Sequence, residues 1–116
     1  MLDVLVIGAG MTGISCARRL RASGLNVVVL DKGRGIGGRM ATRRAEIDGQ
    51  IIRFDHGAQY VTARDASLQQ ALNEISDSAV IWDDAGKPGA YAGVPGMSSI
   101  PKALAEGLTI HQSERV

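Results

Sequence analysis

The first thirty residues alternate between two hydrophobic patterns. Leu2 to Ile7 is a six-residue run, aliphatic except for Asp3, and Gly8 stops it. A short apolar run rich in β-branched residues and closed by glycine predicts a buried parallel strand. From Met11 to Ser23 the apolar positions take helical spacing, with Ile14, Ala17 and Leu20 three apart and Arg18, Arg19 and Arg21 outside that stripe. This predicts an amphipathic helix with a solvated arginine face, ended by Gly24. Asn26 to Leu30 is a second aliphatic run, closed by Asp31. Strand, helix and strand in this order make a βαβ unit, whose crossover is right-handed.

The remaining pattern is less regular. Gly38 to Arg44 reads as a short helix. Asp48-Gly49 between β-compatible residues predicts a hairpin over 46–51. Asp65 caps a predicted helix running to about Ile75, with Leu68, Ala71, Leu72 and Ile75 at helical spacing. Val80 to Trp82 reads as a short strand, 84–95 as turns, and Leu108 to His111 as a last strand. Ser98 and Ser99 before Pro101 open a helix that Gly107 ends. One helix of normal length is too little to cover parallel strands on both faces. Exposed apolar surface is therefore expected along Val27–Leu30 or Leu108–Ile110.

Composition narrows the class. With 116 residues, 45% hydrophobic and 22% charged, the chain is one globular domain. A net charge of +1 gives no field that argues for nucleic acid or an anionic membrane. The single Cys16 excludes an internal disulfide and reads as a buried, inert thiol; His56 and His111 are too few for a metal cluster. No apolar run reaches about 18 residues. The opening Met-Leu-Asp-Val has no basic leader, so a cytoplasmic protein is expected. The distinctive feature is glycine: eight of the fifteen fall within the first 38 residues.

Gly8-Ala9-Gly10-Met11-Thr12-Gly13 is a G-x-G-x-x-G that follows a predicted strand and opens a predicted helix, and Asp31 lies 23 residues past Gly8. That context is the dinucleotide fingerprint: Gly8 turns the chain, Gly10 lets backbone approach a pyrophosphate, and Gly13 lets the helix lie close on the strand. Asp31 would accept ribose hydroxyls. The expected fold is α/β, a Rossmann-like FAD/NAD(P)-binding domain with a three-stranded parallel sheet in spatial order 3-2-1 and a β-hairpin excursion. Gly37, Gly38 and Arg39 form a second glycine-rich loop after the ribose acid. This suits a cofactor that continues past the pyrophosphate, with Arg39 as a planar donor to phosphate.

These blocks resemble the flavin-containing amine oxidase superfamily, and within it the renalase-like members. The resemblance rests on Val6 to Gly13, Asp31-Lys32, Gly37 to Met40 with Thr42, Asp55 to Thr62, and Pro95 to Ile100, in the family's order. It implies non-covalent FAD as cofactor, with Met11, Thr12 and Lys32 joining the nucleotide-binding residues. It also implies flavin lining by His56, Gly57, Ala58, Gln59 and Tyr60, a contribution from Gly96, and Val116 against the adenine. No catalytic side chain stands out. His56 and Tyr60 are the candidates, against structural roles for both. The implied activity is oxidation of aberrant dihydro-NAD(P) isomers, with dioxygen reduced to hydrogen peroxide. A flavin amine oxidase shares every motif, and a non-catalytic dinucleotide-binding module is the reading of another class. Gly35 stands where many amine oxidases carry arginine. Relatives are several-fold longer, so residues 1–116 would be the N-terminal portion of the FAD-binding domain. A substrate domain and a C-terminal flavin segment would lie outside this chain, leaving 1–116 inactive alone.

Overall fold

The computed structural model describes residues 1–82, 86 and 88–116. Three parallel strands form its first sheet: β1 (Val4–Ile7), β2 (Val27–Leu30) and β8 (Thr109–His111), in the order β1-β2-β8. Val6 pairs with Val29 and Val29 with Ile110, so these three share one face. Helix α1 (Met11–Ala22) packs there, placing Ala17 and Val29 at zero exposure. Gly24, with φ +88°, ends the helix through its N–H to the Arg21 carbonyl.

The opposite face of the sheet is open. Period-two geometry turns Leu5 and Ile7 away from α1, and they are 47% and 58% exposed. Val28 and Leu30 beside them are half-buried. The largest apolar exposure of this sheet therefore falls on β1 and not along Val27–Leu30 or Leu108–Ile110: β2 is flanked on both sides, and β8 presents Thr109 and His111 to the open face. The molecule measures 45 × 37 × 20 Å. Layers pack about 10 Å apart, so the short dimension holds the sheet and one covering layer.

The segment 38–44 is not a helix. Gly38–Met40 is a single 3₁₀ turn, and β3 (Thr42–Ile47) begins almost at once. It pairs antiparallel with β4 (Gln50–Asp55), Thr42 opposite Asp55 and Ile47 opposite Gln50. The hairpin is longer than the 46–51 expected, because β-branched and alternating residues on both arms extend the ladder. Its two-residue turn is Asp48-Gly49, both at positive φ (52° and 77°), the conformation that matches strand twist.

A second small sheet holds β5 (Val61–Thr62), β7 (Ala90–Gly93) and β6 (Ala79–Ile81), all antiparallel. Strand β7 lies within the segment expected to be turns; residues 84, 85 and 87 of that segment are outside the described residues. Helix α2 (Ala66–Glu74) is capped by Asp65, whose Oδ1 accepts the Ser67 N–H at 2.9 Å. Helix α3 (Ser99–Leu104) follows Ser98 and buries Ile100, Pro101 and Leu104. The main core joins Ile14, Leu72, Met97, Ile100 and Leu104 across all three helices. The arginines of α1 are not simply solvated: Arg18 donates to the Leu104 carbonyl at 2.9 Å and pairs with Glu74 at 3.5 Å. Arg21 donates to the Gly107 carbonyl. Both tie α1 to the end of α3. No helix among the described residues is long and apolar enough to cross a membrane.

Candidate dinucleotide-binding site

At the carboxyl end of β1, the Gly8 N–H donates to the Leu30 carbonyl at 2.7 Å, which pins the turn to β2. Gly10 precedes α1 in extended conformation without a side-chain cap, and the first turn of α1 carries no acid. The free amides and the positive end of the helix dipole are thus available to an anion. A Cβ at Gly13 would overlap the Gly8 carbonyl oxygen, so only glycine lets α1 sit this close to the turn.

Asp31 braces the same turn. Its Oδ1 accepts the Ala9 N–H at 2.9 Å, and its Oδ2 accepts the Gly33 N–H at 3.1 Å. Each oxygen retains a lone pair for a further donor. The second glycine-rich loop lies against the first. The Gly37 N–H donates to the Ala9 carbonyl at 2.8 Å, Gly10 and Gly37 form a parallel bridge, and a Cβ on Gly38 would come within 3.3 Å of Gly10 Cα.

Between the loops lies a cavity of about 680 Å³ lined by Gly8, Gly10 to Gly13, Cys16 and Gly37 to Met40. A smaller one of about 300 Å³ is lined by Leu30 to Lys32 and Glu114 to Val116. Both include Ile7 and Gly8, so they form one trough over the ends of β1 and β2. Gly8, Gly10, Met11, Thr12, Gly13, Gly37, Gly38 and Arg39 meet in its larger part, and Asp31, Lys32 and Val116 in its smaller part. Cys16 is exposed and faces this trough, contrary to the buried thiol expected. It sits one position before buried Ala17, just off the core stripe.

The segment 56–60 lies beside the trough without lining it. The Ala58 N–H donates to the Arg39 carbonyl at 3.0 Å, and a Cβ on Gly57 would overlap that carbonyl. His56 is exposed, and Gln59 donates through Nε2 to the Asp55 carbonyl at 2.8 Å. Tyr60, half-buried, meets Trp82 edge-on with ring centroids 5.7 Å apart.

Gly96 is buried elsewhere: a Cβ there would come within 2.8 Å of Thr42 Oγ1. It lies at a polar junction that sequence reasoning left without a role. Asp55 Oδ1 accepts the Thr42 hydroxyl at 2.7 Å and the Met97 N–H at 2.9 Å, while the Ser98 N–H donates to Thr42 Oγ1 at 3.0 Å. This junction locks the hairpin base onto the start of α3. The available signal was two short polar residues at the outer ends of a hairpin, equidistant from Asp48-Gly49.

The fold and trough define a dinucleotide-binding α/β domain. Residues 6–75 match the family described as NAD(P)-binding Rossmann-like domain, and the chain belongs to that family. It is 41% identical over 93 residues to the lysine-specific histone demethylase 1 homolog 3 of Oryza sativa subsp. indica, covering 73% of this chain and 12% of that protein. It is 42% identical over 73 residues to the flavin-containing amine oxidase B of Homo sapiens, covering 63% of this chain and 14% of the other. The crystal structure of Thermovibrio ammonificans THI4 aligns with 97% of this chain and 38% of its own, at TM-score 0.56 and 19% identity, a likeness of fold. The chain thus spans less than a sixth of the length of these two curated relatives.

Proposed function

We propose that this chain supplies the nucleotide-binding part of an FAD-dependent oxidoreductase of the flavin-containing amine oxidase superfamily, of the renalase type. The observation that carries the reading is the stacking of the Gly37-Gly38 loop on the Gly8–Gly13 turn, which extends the trough beyond what a single pyrophosphate needs. The residues fit an extended dinucleotide. The uncapped α1 start and Gly10 would take its phosphates, Asp31 a ribose, Val116 and its neighbours the adenine, and Arg39 an outer phosphate oxygen. His56 to Tyr60 would approach the ring system from beside Arg39. A bound flavin would supply the two-electron acceptor, and the protein the positioning of cofactor and substrate. The overall reaction takes a 2- or 6-dihydro isomer of NAD(P)H, dioxygen and one proton from solvent to NAD(P)+ and hydrogen peroxide. A substrate domain and a further flavin-contacting segment would come from outside residues 1–116.

Anaerobic mixing of the flavin-loaded protein with dihydronicotinamide isomers and with primary amines tests this. Prompt loss of flavin absorbance with the isomers alone is the expected result. Bleaching by amines alone assigns the protein to the second reading, a flavin-containing amine oxidase, which the similarity to amine oxidase B favours. A full-length preparation that stays colourless with added FAD would leave only a non-catalytic dinucleotide-binding module.

A further inference from the structure

A third cavity, of about 520 Å³, lies between the hairpin, the start of α3 and the loop after Asp31. It shares no residue with the dinucleotide trough. Four cations line it, Arg34, Arg44, Arg53 and Lys102, together with the polar Ser99 and Gln112, and no acid does. Among the described residues none of these four cations has an ion pair or a side-chain hydrogen bond. The protein carries only +1 overall, so four positive charges in one cavity do not follow from a basic surface.

The backbone makes the arrangement costlier. Arg44 and Arg53 are directly opposed in the β3–β4 ladder, so both guanidinium groups leave the same face. Like charges directly opposite on adjacent strands destabilise a hairpin unless something of opposite sign lies between them. Asp55, two residues beyond Arg53 on the same strand face, has its Oδ1 engaged by Thr42 and Met97. Glu46, next to Arg44 on the same strand face, lies outside the cavity.

We propose that this cavity binds the phosphate groups of a nucleotide substrate, at a place separate from the turn that takes the cofactor's own phosphates. The guanidinium fork matches phosphate oxygens in pairs, and two forks from facing strands with a third from Arg34 present more donors than one carboxylate uses. The choice of a nucleotide rests on the dinucleotide substrate proposed above. The anion chemistry rests on this cavity alone.

The test is calorimetric titration of the intact, flavin-loaded protein with inorganic pyrophosphate, ADP and NAD+ at fixed ionic strength. Arg44→Ala and Arg53→Ala should each weaken binding by about ten- to a hundred-fold. Arg43→Ala, opposite Phe54 and on the other face of the ribbon, should leave it unchanged. Flavin content should be the same in all three. Binding of ADP without pyrophosphate assigns the site to the nucleotide; binding of both assigns it to phosphate as such. Wild-type protein should also melt at higher temperature in pyrophosphate than in chloride of equal ionic strength, a readout that needs no variant to fold. Absence of that shift, binding insensitive to Arg44 and Arg53, or flavin lost with either arginine would overturn the proposal. Since none of these readouts needs turnover, a protein that binds NAD+ through Arg44 and Arg53 yet oxidises no dihydronicotinamide would refute the reaction and leave the site standing.

Discussion

Arg39 and Asp55 lie 16 positions apart, and their roles differ in kind. Arg39 contributes its backbone carbonyl to Ala58 and lines the trough. Replacing it with alanine keeps the backbone bond and removes one charge-assisted donor, a contribution of roughly 1.5–3 kcal/mol. FAD affinity should fall about ten- to a hundred-fold with little change in melting temperature, and calorimetry with FAD checks the first. Unchanged affinity would remove Arg39 from the site. Asp55→Ala should do the reverse. It strips a partner from the Thr42 hydroxyl and from the N–H of Met97, a fully buried residue. An unsatisfied buried donor costs about 1–3 kcal/mol, so thermal unfolding should move down by several degrees. Asp55→Asn, which keeps an acceptor oxygen, should recover part of that loss.

Among the elements, α2 owes its start to one side chain. Asp65 satisfies the Ser67 N–H, and Leu72 on the far turn is fully buried against the core. Asp65→Ala should cost about 1 kcal/mol, while Asp65→Asn should cost far less; chemical denaturation of both variants measures the difference. Equal losses in the two would mean that the charge, not the cap, holds the helix. Helices α1 and α2 and the hairpin turn were legible because their signals are local: apolar spacing, a capping residue and Asp-Gly. The 3₁₀ turn at 38–40 and strand β7 were not. A glycine-rich stretch is compatible with several conformations, and contacts with distant segments, those of Gly37 with Ala9 and of Arg39 with Ala58 among them, select one. Strand β7 holds Ala90, Tyr91, Ala92 and Gly93, whose strand character comes from pairing on both edges with β5 and β6.

For the whole molecule, the uncovered sheet face decides behaviour. Leu5 and Ile7 on β1 are exposed, as are Ile47 and Phe54 on one face of the hairpin and Ile51 on the other. Apolar surface of this extent drives association in water. Residues 1–116 expressed alone should self-associate with rising concentration, and Leu5→Lys with Ile7→Thr should reduce it. Sedimentation velocity over a tenfold concentration range reads this directly. A strictly monomeric wild type would show that the face needs no cover. The same segment should show no peroxide production with dihydronicotinamide isomers, because catalysis by positioning needs the flavin held on both sides. Turnover by 1–116 would overturn that expectation.

The sequence by itself determined the βαβ unit and the fingerprint turn with its acid, because each depends on neighbours within a few residues or on a chain-wide rule of handedness, and the fold class that the fingerprint implies carried the order of the three parallel strands with it. It also marked Gly37, Gly38 and Arg39 as a loop with a purpose. Tertiary structure decided the meetings of distant segments that the fold class does not imply. It stacked the second glycine loop on the first, exposed Cys16 at the trough and carried Gly96 to Thr42 and Asp55. It also tied Arg18 and Arg21 to the end of α3, and gathered Arg34, Arg44, Arg53 and Lys102 around one cavity. Local propensity carries no information about such meetings; packing of the core against α1, α2 and α3 sets them.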